Sequence, residues 1–194
     1  MSNYHYILDA GHGIDTYIKG FNPYRKSKVW NDKSQFFEYE FNRNVVKFLS
    51  FMLRQSYIDH TVLIPEINDI PLSERVTRAN SLVIDKDTLF LSIHSNWYIN
   101  DKVNGFETHY YKSGKFLAGI FQKYIGQLGN DRGLKQSNYY VLKNTSMPAV
   151  LTENGFYSNE NECKKLMTND FQYQIAESHF RAILEIDNNN LLKK

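Results

Sequence analysis

Two histidines stand where short apolar runs give way to polar loop chemistry. His12 ends Ile7-Leu8-Asp9-Ala10-Gly11-His12-Gly13, and His94 ends Leu89-Phe90-Leu91-Ser92-Ile93-His94, followed by Ser95-Asn96. Apolar runs of this length suit strands buried on both faces of a parallel sheet. In open α/β sheets, ligands bind in the crevice beyond the carboxyl ends of such strands. Two imidazoles delivered to that edge, with a carboxylate beside them, suit a zinc ion, which in catalytic sites takes three protein ligands and keeps a position for water. A lone histidine is more often a structural residue; two at matched strand ends raise the case for a site.

Helical phase points to the third ligand. In Glu38-Tyr39-Glu40-Phe41-Asn42, Glu38 lies three residues before Phe41 and seven before Val45, so it continues the apolar stripe of a helix. Glu40 falls in phase with Asn44 and Lys47 on the outer face. An inward carboxylate needs a partner, and a metal is a good one; placement near a positive helix N-terminus is the competing explanation. The run Pro148-Ala149-Val150-Leu151-Thr152 predicts a further buried strand, and Glu153 at its end points into the same crevice. Its expected role is general base, taking a proton from water and passing it to a leaving amine. Zinc would lower the pKa of bound water and polarise a carbonyl. A solvent-facing turn residue is the competing description of Glu153.

The elements that must hold these groups alternate between strand and helix, which predicts an α/β fold. Strands are expected at about 4–9, 61–64, 88–94, 105–111, 138–143 and 148–153, with the 105–111 strand at an edge because its pattern is less uniformly apolar. Helices are expected at about 36–56 (capped by Ser34), 71–82 (opened by Pro71 and carrying Arg75 and Arg78), 113–128 and through the last ~35 residues. Gly11, Gly13, Gly20 and Asn22-Pro23 punctuate a long polar loop reaching residue 35, and 129–133 reads as a turn. The expectation is a single domain over 1–187, with 188–194 a frayed tail.

A chain of 194 residues has room for one substantial core, and 42% hydrophobic with 23% charged residues is ordinary for a globular domain. The net charge of +2, without a basic run, argues against nucleic acid as a partner. The 14 Tyr and 13 Phe suit sugar or peptide surfaces, although most must fill the core. Cys163 is the one cysteine, so neither an intramolecular disulfide nor a cysteine metal site is possible, and its polar helical setting suggests an inert thiol. The N-terminus lacks the basic head and apolar stretch of a signal peptide, and no window predicts a membrane span. Synthesis in the cytoplasm is therefore expected, with a separate agent delivering the protein to any target beyond the membrane.

Glu107 and His109 share one strand face and could join His94 in a second site, or form the polar face of an edge strand. His5, His60 and His179 have no comparable company. The absence of a helical HExxH motif weighs against a generic zinc peptidase.

Taken in order, these blocks resemble the zinc-dependent N-acetylmuramoyl-L-alanine amidases of the third amidase family, found in bacterial autolysins and phage endolysins. The block 7–13 is similar to the family's first zinc histidine, Glu38 to Asn42 to its glutamate ligand four residues before an Asn, and 92–96 to its second histidine. The block 147–159, running from Met147 to Asn159, resembles the one that bears the catalytic glutamate. Arg75, Arg78-Ala79-Asn80 and the stretch 131–135 leading to Tyr140-Val141-Leu142 also match. Ala10 stands where proline is usual and Asn154 where the family generally has an apolar residue; neither is a proposed ligand.

The resemblance implies a twisted, mostly parallel or mixed six-stranded sheet with helices on both faces. It implies one zinc ion on His12, Glu38 and His94, Glu153 as the catalytic residue, and cleavage of the amide between N-acetylmuramic acid and the L-alanine of the stem peptide. The expected partner is bacterial peptidoglycan. Small size and the missing signal peptide favour a phage endolysin acting on the wall after release by a holin-type partner. A bacterial autolysin of the same chemistry and a catalytically inactive wall-binding module are the alternatives, the intact Glu153 weighing against the latter. Arg132 and Asn96, with Tyr17, Tyr24 and Trp30 of the long loop, are expected substrate contacts; for Arg132, loop bracing competes.

Overall fold

The computed structural model describes residues 2–14, 27–29, 35–83 and 87–193. Ser34, Tyr17, Tyr24 and Trp30 lie outside the described residues. The elements in chain order are β1 (His5–Ala10), β2 (Ser27–Val29), β3 (Gln35–Phe37), α1 (Glu38–Gln55), β4 (His60–Val62), α2 (Leu72–Ser81), β5 (Thr88–Asn96), β6 (Phe106–Tyr110), α3 (Lys115–Ile125), β7 (Asp131–Gln136), α4 (Tyr140–Asn144), β8 (Ala149–Phe156), α5 (Glu160–Leu166) and α6 (Asn169–Asn188).

Six strands form one mixed sheet in the order β4-β1-β5-β8-β6-β7. From β4 to β8 the neighbours run parallel; β6 is antiparallel to β8, and β7 is parallel to β6. The carboxyl ends of β1, β5 and β8 therefore share one edge with the start of β6. Three expectations are corrected here. β6 is an interior strand, buried along its length between β8 and β7, because Glu107, Thr108 and His109 find polar partners inside the fold. The stretch expected as a turn at 129–133 instead enters the edge strand β7, whose two-for-one bulge opposite Glu107 accommodates Gly133 at φ 71°. A third correction is 140–144, which coils into the short helix α4 where a strand was expected. Part of the polar loop pairs as the antiparallel ribbon β2-β3, and α1 begins at Glu38 directly after it, with no side-chain cap.

Strand alternation divides the apolar residues between the two faces. Tyr6, Leu8, Ala10, Leu89, Leu91, Ile93 and Val150 join residues of α1, α3, α5 and α6 in the larger cluster. Ile7, Phe90, Ala149 and Leu151 meet Val76 and Ala79 of α2 and Val141 and Leu142 of α4 on the other. Helices thus cover both faces of a single α/β domain. The chain ends are tied together: Ser2 Oγ and the Asn3 backbone N–H donate to Asp187 Oδ1 at 2.8 and 3.1 Å. Beyond α6, Leu191 and Leu192 pack partly buried against the larger cluster rather than fraying from it. Among the described residues, no helix is long and apolar enough to cross a membrane.

Candidate functional site

Where β1 ends, Gly11 and His12 turn sharply over the sheet edge. His12 adopts φ 60°, a left-handed conformation that costs a non-glycine residue on the order of 1–3 kcal/mol. Charged donors offset that cost: Arg43 Nη1 donates to His12 O at 2.8 Å and Arg75 Nη2 at 3.1 Å. Hydrogen bonds from charged groups contribute about 1.5–3 kcal/mol each, enough to hold the turn. The Asn42 side chain secures the preceding carbonyl, donating to Gly11 O at 2.9 Å. Arg75 is fully buried beneath the turn, bonding Asp9 Oδ1 and Ala10 O at 2.7 Å, Ile70 O at 2.9 Å and Asp69 Oδ1 at 3.2 Å. Ser92 Oγ takes up the second Asp9 oxygen at 2.6 Å.

His94 projects from β5 on the same face as Phe90 and Ser92, and its ring meets that of His12 edge-on at 4.7 Å between centroids. Glu38, the first residue of α1, reaches over the edge to both. Its Oε1 lies 3.3 Å from His12 Nε2 and 3.1 Å from His94 Nδ1, and it also accepts from the Ser95 backbone N–H at 3.4 Å. Glu38 is 3% exposed while Glu40 faces solvent, as helical phase predicts. His12, Glu38 and His94 each offer one ligand atom, all within 4.8 Å of one another, which makes them the metal-capable group among the described residues. Burial works against charge on Glu38, but the two imidazoles outweigh it and hold the carboxyl well below the usual carboxylate range. Burial lowers the pKa of His94, which favours the neutral ring a metal needs.

Glu153 stands one strand further along the edge. It is the register partner of His94 in β5 and of Glu107 in β6. With His12, His94, Arg75, Tyr139 and Leu151 it lines a cleft of about 480 Å³ that runs between α2 and α4. Asn154 supports it from the other face, donating to His94 O at 3.0 Å. A polar residue at this position, unusual on resemblance, therefore ties the two strand ends together. Tyr157 packs against Phe36 at 5.1 Å, and burial together with the nearby carboxylates of Glu38 and Glu153 keeps its hydroxyl protonated.

Glu107 and His109 do not join His94 in a second metal-capable group. Instead Glu107 gathers a polar cluster beside Glu153. Arg132 Nε donates to its Oε2 at 2.8 Å, Asn96 Nδ2 to its Oε1 at 3.0 Å, and His109 Nε2 lies 3.2 Å from Oε1. Burial opposes charge there too, yet His109 and Arg132 bring the Glu107 carboxyl down to about 2. Arg132 also lies over the Phe156 ring at 4.9 Å and keeps 31% of its side chain exposed. Asn96 is turned inward: its amide serves Glu107, and its Oδ1 accepts from the Trp97 backbone N–H at 2.8 Å. Sequence reasoning assigned no role to Asp9, Arg43, Ser92 or Tyr139. Asp9 carried the one usable signal, a charged residue inside an apolar strand.

The site can be set beside known proteins. The family model described as N-acetylmuramoyl-L-alanine amidase matches residues 7–185. The chain belongs to this third amidase family. Among solved members, the N-acetylmuramoyl-L-alanine amidase from Clostridium difficile 630 superposes with a TM-score of 0.80 at 29% identity, covering 96% of this chain and 97% of that one. The catalytic domain of the amidase CwlV from Bacillus (Paenibacillus) polymyxa gives 0.79 at 28%, covering 94% and 97%. By sequence, the chain is 39% identical over 128 residues to the endolysin of Bacillus phage SPP1, covering 60% of this chain and 45% of the relative. It is 35% identical over 140 residues to the N-acetylmuramoyl-L-alanine amidase CwlM of Bacillus licheniformis, covering 68% and 53%. The chain thus spans about half the length of these curated relatives. An amidase fold and the convergent His12, Glu38 and His94 are therefore found together.

Proposed function

We propose that this chain is a zinc-dependent peptidoglycan hydrolase that cleaves the amide between N-acetylmuramic acid and the L-alanine of the stem peptide. The observation that carries this is the convergence of three ligand atoms within 4.8 Å at one edge of an amidase-family sheet. The donor set fits zinc: two imidazoles and one carboxylate, with the 3.1 and 3.3 Å separations close to the ~3.3 Å edge that Zn–N and Zn–O bonds of ~2.0 Å imply for a tetrahedron. His12, Glu38 and His94 would hold the ion, which when bound polarises the scissile carbonyl and makes water a better nucleophile.

Glu153 is the general base and then the general acid. A carboxylate oxygen takes the proton of the attacking water and returns it to the departing amide nitrogen, a contribution of typically 10²- to 10⁴-fold. Arg43, Arg75 and Asn42 keep the His12 turn in place, so two of the ligands start at fixed separation. The cleft walls, with Ile70, Leu72, Tyr139 and Tyr140, receive the peptide side of the substrate. Arg132, anchored on Glu107, offers its exposed donors to polar substrate groups, and Asn96 acts through Glu107. The catalytic unit covers residues 1–187. Similarity to the SPP1 endolysin supports a phage lysin that reaches the wall through a holin-type partner; similarity to CwlM supports a bacterial autolysin of the same chemistry.

Mass analysis of digested peptidoglycan tests the bond assignment. Free L-alanine amino termini and lactyl-bearing muramic acid should appear together, without new reducing ends. Chelator should stop the release and zinc should restore it; release that persists in chelator overturns the metal assignment.

A further inference from the structure

The loop between β5 and β6 places three large apolar residues in a row on the surface. Trp97, Tyr98 and Ile99 are 49%, 53% and 79% exposed. Exposure of this kind is costly to solubility and marks interaction sites when it is contiguous. The loop is also firmly held, so its side chains are presented rather than left loose. The Trp97 N–H is taken by Asn96 Oδ1 at 2.8 Å, the Tyr98 N–H by Ser158 Oγ at 3.0 Å, and Asn159 Nδ2 donates to Asp101 O at 2.8 Å.

Position selects the occupant. The loop leaves β5 and enters β6 at the strand-end edge that carries the His12, Glu38 and His94 group. Trp97 follows His94 by three residues, which puts their Cα atoms within about 10 Å. The ~480 Å³ cleft is walled by His12, His94 and Glu153 and by residues of α2 and α4, and Trp97, Tyr98 and Ile99 line none of it. A substrate with two arms meeting at the scissile amide would therefore lay one arm in the cleft and the other toward this loop. Trp and Tyr rings match the apolar C–H face of a pyranose, and Asn100, Asp101 and Lys102 beside them are exposed polar groups for its hydroxyls.

We infer that Trp97 and Tyr98 form a glycan-binding subsite, on which the sugars flanking the cleaved muramic acid stack while the stem peptide occupies the cleft. The inference rests on the amidase assignment for the position of the scissile bond, but binding can be tested without catalysis. In a Trp30→Phe background Trp97 is the remaining tryptophan. Titration with peptide-free glycan strands should then change its fluorescence saturably, in metal-free protein as well, and Tyr98→Ala should weaken that binding about tenfold. In turnover, Trp97→Ala should raise KM for substrates carrying several sugars about tenfold while moving KM for a single-sugar muramoyl peptide less than threefold. A fluorescence signal that ignores glycan, or equal KM effects on both substrates, overturns the subsite while leaving the amidase assignment standing. A change in Trp97 fluorescence that follows protein concentration, with a dimer on sizing, overturns it in favour of a second copy of the chain. Should no muramoyl–alanine bond be cut at all, the fluorescence titration still decides the subsite.

Discussion

Gly11 and His94 pack so closely that a Cβ built on Gly11 would lie only 2.2–2.5 Å from Cε1, Nε2 and Nδ1 of the His94 ring. The site therefore depends on the absence of a side chain one residue before its first ligand. Gly11→Ala should displace the ring and lower zinc affinity at least tenfold, read by competition with a chromogenic chelator. Gly119→Ala is the control. A Cβ there meets nothing within 4 Å on the α3 helix, so it should raise stability by about 0.5–1 kcal/mol and leave zinc binding alone.

Glu38 and Glu40 separate burial from proximity in sequence. Glu38→Ala should lose zinc at micromolar concentration, whereas Glu40→Ala should bind it as the wild type does. Loss of zinc on changing Glu40 alone would refute the ligand assignment.

For Glu153→Gln, zinc binding should remain within about threefold and the turnover rate should fall at least a hundredfold. Comparable losses in metal affinity and rate would instead make Glu153 a ligand or a structural residue.

The guanidinium groups beneath His12 should divide by burial. Arg43→Gln removes one donor to the His12 carbonyl and should weaken zinc about tenfold, as partners behind a ligand typically do. Arg75→Met leaves the buried Asp9 carboxylate without its cation and should cost roughly 3–5 kcal/mol in a denaturant titration.

Stability should also respond to acid through a histidine remote from the metal-capable group. Burial pushes the His179 pKa down to about 4, against Phe121 and Thr152. The unfolded chain takes up this proton near pH 6.5, the folded chain only near 4, so the stabilisation is complete above 6.5 and is lost as pH falls toward 4. The loss should be of the order of 3 kcal/mol across that window. Thermal melts of wild type and His179→Gln between pH 7 and 4 should diverge accordingly.

Much of the site was legible because each group sits at a boundary between apolar and polar sequence. His12 follows β1, His94 and Glu153 lie near the carboxyl ends of β5 and β8, and Glu38 continues a helical stripe, so apolar patterning makes them candidates and the family resemblance assigns their roles. The supports were not legible. Asp9, Ser92 and Arg75 are 66 and 83 residues apart in their pairings, and no local pattern joins them. β6 read as an edge strand because Glu107 and His109 look solvent-bound in sequence, whereas Arg132 and Asn96 satisfy Glu107 inside the fold. The stretch 138–143 reads as a strand because the five residues of α4 are too few for helical periodicity to show.

The clasp of Ser2 and Asn3 on Asp187 has an engineering consequence. Ser2, Asn3 and Asp187 meet at the amino-terminal end of β1, whose six residues rise about 20 Å to the His12 turn. A short linker joining this pair of segments should give a circular permutant opened elsewhere, with the new join on the side opposite the catalytic edge.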